Sequence, residues 1–156
     1  MDATTLGVKI GYAVEATAGT RPTTGYIQIP RCQSIPEIKL DTATIDATCL
    51  EDKVKKYQKG QQDSGGKWEP VFYSDAMDEI ETMRAAAATA AAANKGVWWV
   101  VWFPDLSKSY FVKAQPDEVQ SLSEVGQAAM VQLKISCVLT EIHGFDTKVE
   151  PTVTGA

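Results

Sequence analysis

The stretch from residue 34 to residue 73 most constrains the fold, because it has the pattern of two strands joined by a long charged loop. Ile38 and Leu40 alternate with charged residues, which is typical of a strand with one buried and one solvated face. From Ile45 onward the apolar residues change parity. The strand must therefore carry a β-bulge within residues 42–44 or move into a different packing environment.

The return strand is predicted at Trp68 and Phe72, so the loop before it spans about residues 50–66 and closes on Ser64-Gly65-Gly66. A loop of this length inside a compact domain is uncommon, and it is usually functional or disordered. We expect it to become ordered only against another subunit. The side chains expected to make those contacts are Glu51, Asp52, Lys53, Lys55, Lys56, Tyr57, Lys59 and Asp63.

Two short motifs in this stretch resemble a known family. They are IDATCLED at 45–52 and KYQKGQQDSG at 56–65. Together they are similar to the major tail tube proteins of long-tailed, siphovirus-like bacteriophages, in which a strand ends near an Asp-x-Thr and a loop carries Lys-Tyr and Gly. The resemblance extends upstream to Leu6 and downstream to Glu141, and so covers most of the chain.

The resemblance implies a structural virion protein that forms homohexameric rings. The inner sheets would form a continuous barrel, and the rings would stack into a tail tube that serves as the conduit for genome ejection. The predicted loop would dock on the next ring. Other implied partners are the tape-measure protein, the tail terminator and the baseplate or distal tail proteins, and the implied location is the virion tail, assembled in the host bacterial cytoplasm. The related tube of type VI secretion systems is an alternative in the same structural class.

The charge of the chain predicts the lining of such a channel. The net charge of −5 argues against tight DNA binding, which is driven by Lys and Arg releasing counterions from phosphates. An acidic wall would instead repel a passing duplex, so that DNA passes without specific binding. The faces of the two predicted hairpins that lie opposite the core carry five acidic and three basic residues, which we predict to face the lumen: Glu37, Lys39, Asp41, Lys67, Glu69, Glu118, Glu124 and Lys134.

The remaining pattern predicts a mainly β fold, a sandwich or half-barrel with one flanking α-helix, in a single domain over residues 1–156. The helix should begin after an N-cap at Ser74 and bury an apolar stripe. The other predicted elements are strands at 6–14 and 26–29, a central strand at 97–103 buried on both faces and followed by its hairpin partner, a strand pair at 116–125 and 126–142, and a polar tail at 144–156, mobile or ordered by a neighbour.

No enzyme, cofactor or metal site is predicted, because His143 is the sole histidine and no phosphate loop or nucleophile motif is present. The odd cysteine count favours reduced thiols at Cys32, Cys49 and Cys137. No export signal or spanning segment is expected, and no membrane partner. The alternative function is a monomeric carbohydrate- or protein-binding β-sandwich anchored by Trp98, Trp99 and Trp102.

Overall fold

The computed structural model describes residues 6–63, 66–127 and 129–153, which form a mainly β fold with one α-helix, as the sequence predicts. The antiparallel strands form three sheets, with the orders β2-β1-β8-β9-β12-β6, β10-β11-β7-β3 and β4-β5. The elements are β1 (Lys9–Val14), β2 (Ile27–Gln28), β3 (Cys32–Ser34), β4 (Asp41–Asp46), β5 (Tyr57–Asp63), β6 (Lys67–Trp68), β7 (Val71–Tyr73), α1 (Met77–Ala92), β8 (Val97–Trp102), β9 (Lys108–Pro116), β10 (Ser121–Leu122), β11 (Gln132–Lys134) and β12 (Cys137–Thr147).

The centre of the six-stranded sheet is β8, which pairs with β1 and β9. Because successive side chains of a strand point to opposite faces, its apolar run requires cover on both. Trp99 packs in the main core with Tyr12, whereas Trp98 packs on the other face with Tyr26 and Phe111. The prediction of a central strand buried on both sides is confirmed.

Helix α1 covers the main-core face of this sheet with its predicted apolar stripe, in which Ile80, Met83 and Ala87 are buried. The predicted N-cap at Ser74 is wrong. Ser74 begins a 3₁₀ turn that precedes the helix. Its backbone N–H donates to Val131 O at 3.1 Å, so Ser74 is bonded to the segment before β11 and does not cap the helix. The helix ends at Ala92, with Asn94 in the left-handed region and the Lys95 N–H bonded to Ala90 O, which is a Schellman motif.

The four-stranded sheet corrects the prediction of one continuous strand at 126–142. The chain passes from β11 in the four-stranded sheet to β12 in the six-stranded sheet, and Ile135 and Ser136 make the bend. Leu133 and Cys137 are both buried on either side of the bend, so the inward alternation continues through it and hides the break. Strand β12 pairs with β9 and β6, and within the predicted hairpin only β10 and β11 pair with each other.

The predicted tail at 144–156 is corrected for its described part. Strand β12 runs to Thr147 opposite the start of β9, and Gln28 N donates to Thr152 O at 2.8 Å beside β2. One face of this half of β12 is exposed to solvent. The polar residues on that face made the segment look like a tail in the sequence. Residues 154–156 lie outside the described residues. Within those that are described, no helix is both long and apolar enough to cross a membrane.

A buried carboxylate that the sequence analysis missed joins the ends of β1 and β8. Glu15 is 1% exposed and accepts hydrogen bonds from Gly96 N at 2.6 Å, Trp98 Nε1 at 2.9 Å and Gly19 N at 3.2 Å. Lys113 Nζ lies 3.5 Å away. Burial acts to raise the pKa of Glu15, but these hydrogen bonds and the Lys113 charge together hold it below its ordinary value.

Candidate assembly surfaces

The β4–β5 hairpin forms a two-stranded sheet of its own, and every residue of β4 is exposed. The predicted bulge is confirmed, because the register shifts between Thr42 and Thr44. The predicted loop is too long, since Tyr57–Asp63 is strand β5 and is the true return strand. The sequence of β5 is polar on both faces because neither face packs on the two larger sheets. It therefore lacks the alternation of apolar and polar residues from which a strand is predicted. Ser64 and Gly65 lie outside the described residues.

The turn of this hairpin is held by hydrogen bonds among its own residues. Thr48 Oγ1 accepts from Lys56 N at 2.8 Å and donates to Lys56 O at 3.2 Å. Asp52 accepts from Cys49 N at 2.9 Å and pairs with Lys56 Nζ at 3.0 Å. The Cys49 N–H and then Lys56 hold the pKa of Asp52 below its ordinary value. These contacts join the two arms of the turn within one chain, and its ordering against another subunit stays a prediction.

The predicted docking residues occupy both the turn and the returning strand. The charged side chains Glu51, Lys53 and Lys55 are exposed in the turn, whereas Asp52 is half-buried by its bonds to Cys49 and Lys56. Tyr57 and Lys59 lie exposed on β5, and the backbone of Asp63 pairs with Asp41 at the end of that strand. The structure thus places these residues along one hairpin rather than in one irregular loop.

The hairpin also exposes apolar side chains, which are absent from the predicted set of docking residues except for Tyr57. Large hydrophobic side chains are normally buried, and a cluster of exposed ones marks an interaction surface. The hairpin and its base expose five such side chains: Leu40, Ile45, Leu50, Val54 and Tyr57.

The residues predicted to face a lumen form two groups in one chain. Glu37, Lys39 and Asp41 follow β3. The others lie around β6, β11 and the 117–125 segment, which follows β9 and contains β10. Strands β3 and β10 are opposite edges of the four-stranded sheet. The indole N–H of Trp68, which lies between Lys67 and Glu69, donates to Pro36 O at 3.3 Å beside Glu37, so one chain brings only part of the second group next to the first.

Ion pairs neutralise several of these charges. Lys39 pairs with Asp41 at 3.2 Å, Lys134 with Glu69 at 3.7 Å, and Lys67 with Asp117 at 3.4 Å. Across the described part of the chain, the acidic residues of this set that form no ion pair are Glu37, Glu118 and Glu124. The charge left exposed by the set is therefore acidic.

A row of apolar side chains crosses the four-stranded sheet from edge to edge. Leu122 pairs with Leu133, Leu133 with Phe72, and Phe72 with Cys32, and directly paired residues point to the same face. Leu133 and Phe72 are buried in the main core. The two ends of the row differ in exposure, because Leu122 is 64% exposed whereas Cys32 is half-buried. Burial raises the pKa of the Cys32 thiol to about 11.

An apolar groove of about 530 Å³ opens beside the Cys32 end of this row. Its walls come from the 32–38 segment and from the main-core face of the six-stranded sheet. The lining includes Cys32, Ile35 and Ile38 on one side and Val101, Phe103 and Tyr110 on the other. The groove is therefore an unfilled extension of the sandwich core at the free edge formed by β3.

The tryptophans proposed as ligand anchors do not form a platform. Trp98 and Trp99 are buried, and their indole N–H groups donate to Glu15 and to Ala114 O. Trp102 is half-buried, with the ammonium groups of Lys9 and Lys148 near its ring. Stacking on a sugar requires exposed ring faces, so the carbohydrate-binding alternative is not supported.

His143 lies on β12 and contacts the carboxylate of Asp146 on the same strand. Its Nε2 is 2.6 Å from Asp146 Oδ2, and Arg21 reaches the same oxygen at 3.0 Å. The hydrogen bonds from His143 and the Thr147 N–H, with the Arg21 charge, lower the pKa of Asp146 to about 2. These contacts fix the 16–25 segment against the sheet.

No family model and no curated protein matches the chain. Its fold is similar to that of a chain in a solved structure, the cryo-EM structure of the anti-feeding prophage (AFP) baseplate, 6-fold symmetrised. The TM-score is 0.65 at 8% sequence identity, and the match covers 92% of this chain and 95% of that chain. At this identity the likeness is one of fold, and it extends over nearly the whole architecture.

Proposed function

We propose that this chain is a structural, non-enzymatic virion protein that assembles as stacked homohexameric rings into a phage tail tube. The observation that carries the proposal is a fold like that of a chain in a 6-fold symmetrised prophage baseplate, combined with a hairpin that exposes every residue of β4 and the apolar side chains of Leu50, Val54 and Tyr57. The hairpin forms a separate two-stranded sheet that adds no strand to the other two sheets of the chain. Exposure of this kind is expected of an element that docks between rings. Its partners would be its own copies, the tape-measure protein, the terminator and the baseplate proteins.

The lumen of the proposed tube is acidic. After the ion pairs of Lys39, Lys67 and Lys134 are taken into account, the predicted lining retains Glu37, Glu118 and Glu124. Joining copies edge to edge would place Glu118 and Glu124 of one copy on the segment that faces Glu37 of the next copy around a ring. DNA would then pass along a wall that repels its phosphates.

The test is negative-stain electron microscopy and light scattering of the purified protein over a range of concentrations, with a hairpin-deleted variant alongside. Replacing residues 42–62 by a short Gly-Ser linker removes a sheet that pairs only with itself, so the body should keep its secondary structure by circular dichroism. We expect rods from the native chain and isolated rings or monomers from the variant. Rods formed by the deleted chain would contradict the docking role, and a native chain that stays monomeric even with baseplate proteins added would contradict the proposed function.

A further inference from the structure

The two free edges of the four-stranded sheet are complementary in direction. The sheet has four strands that alternate in direction, so the edges β3 and β10 run in opposite directions. A second copy in the same orientation can therefore place its β10 beside β3 and continue the antiparallel order. Such a head-to-tail contact is heterologous, and it closes into a ring when its rotation permits.

The edges are also complementary in their apolar surface. The 117–125 segment exposes Val119, Leu122 and Val125. The 31–39 segment borders the apolar groove, and its two basic residues, Arg31 and Lys39, pair with Asp75 and Asp41 of their own chain. The exposed apolar side chains of one edge thus match an unfilled apolar groove at the other.

We propose that the groove beside β3 is the receptor for Leu122 of the neighbouring copy. If β10 of that copy continues the register, its Leu122 stands opposite Cys32 and extends the row Leu122–Leu133–Phe72–Cys32 across the subunit boundary. Leu122 then fills the groove between the 32–38 segment and the six-stranded sheet. This inference rests on the proposed ring and names the surface that closes it.

The pairing predicts a disulfide between chains after one substitution. Directly opposed residues on antiparallel strands have Cα atoms about 4.5–5.5 Å apart, which suits a disulfide. Within one chain, residues 32 and 122 are three strand spacings apart, about 14 Å, and cannot bond. The variant Leu122→Cys in a Cys49→Ser background should therefore link head to tail, with diamide accepting the two electrons and two protons that the thiols lose.

The expected result is a ladder of linked chains on a non-reducing gel of assembled protein, rising to the full ring, and its loss when Cys32→Ser is added. Oxidation should be run for hours at mildly alkaline pH, because burial raises the pKa of Cys32 to about 11. A matched variant, Leu50→Cys in the same background, tests the hairpin as the rival occupant. Rings or tubes that give no ladder from L122C, a product that stops at dimers, or linkage to Cys32 from L50C instead would overturn the inference while leaving the proposed function intact.

A second variant needs no oxidation. Leu122→Asp places a charge on an exposed position of the monomer, so folding should be unaffected, but it would bury that charge in the groove on assembly. We expect the concentration required for ring formation to rise by on the order of a hundredfold, whereas Val153→Asp, at an exposed position outside the two edges, should leave it unchanged. Equal assembly of both variants would overturn the inference, and a native chain that forms no rings would overturn the proposed function together with it.

Discussion

Truncation of the hairpin tip offers the sharpest test of ring stacking, because Leu50 is 106% exposed and Val54 is 74% exposed. The double variant Leu50→Ala, Val54→Ala removes apolar surface that has no contact in the monomer. Folding should therefore be unaffected within about 0.5 kcal/mol, as for other exposed substitutions. Any larger effect must come from assembly.

The magnitude follows from the side chains removed. Fully burying a Leu or Val side chain contributes about 1.5–3 kcal/mol, and each methylene about 0.8 kcal/mol. The two substitutions together remove five carbon atoms, so they should cost about 4 kcal/mol per fully docked hairpin, which is on the order of a thousandfold in the critical concentration for tube growth. Pelleting by ultracentrifugation across a dilution series measures that concentration directly.

The matched control is Leu6→Ala, which shortens an equally exposed leucine, 84% exposed, outside the hairpin. It should leave the critical concentration unchanged. If the double variant polymerises at the same concentration as the native chain, the apolar tip does not dock. The reasoning would then fail even if the tube forms, and the charged residues of the turn would become the remaining basis for stacking.

Three further predictions concern other parts of the molecule. Replacing the unpaired acidic residues of the proposed lumen by Lys (E37K, E118K and E124K together) should impair DNA passage through the tubes that assemble, and normal infectivity of such particles would contradict the charge argument. Glu15→Gln should destabilise the monomer by about 2 kcal/mol at neutral pH, since it weakens charge-assisted hydrogen bonds. Because the pKa of Glu15 is lowered in the fold, its contribution is present above the ordinary value of 4.5 and is lost as pH falls below it; urea melts of the variant should therefore lose part of the native acid dependence. Asp52→Ala should disorder the hairpin turn without changing the melting temperature of the body, measurable as faster amide exchange at Cys49.

The sequence predicts those elements in which the pattern of apolar and polar side chains matches the buried and exposed faces. The apolar run of β8 indicates burial on both faces, the change of parity before Ile45 indicates the bulge, and the spacing of Ile80 and Met83 indicates the helix stripe. Strand β5 is not predictable in this way, because a strand exposed on both faces has no reason to alternate. The break between β11 and β12 is hidden for the opposite reason, since the inward residues on either side of the bend serve the same core.

Contacts between residues distant in the chain were also beyond the pattern. Glu15 resembles the last polar residue of an exposed strand, and only the return of Gly96 and Trp98 beside it explains its burial. The row from Leu122 to Cys32 likewise requires the register of four strands. The roles of the candidate site residues therefore stay predictions, and their arrangement in the fold could not be predicted from the sequence pattern.

The short lengths of the edge strands have a consequence for how rings would assemble. A long exposed edge pairs indiscriminately with other chains, whereas β3 and β10 have three and two residues, so one edge contact alone is weak. Closure of a ring forms every such contact together and leaves no free edge, so the closed ring is favoured over an open chain of copies by one complete interface. Small open oligomers should accordingly be scarce at equilibrium, and a chain with the Leu122 contact removed should lose closed rings before it loses its fold.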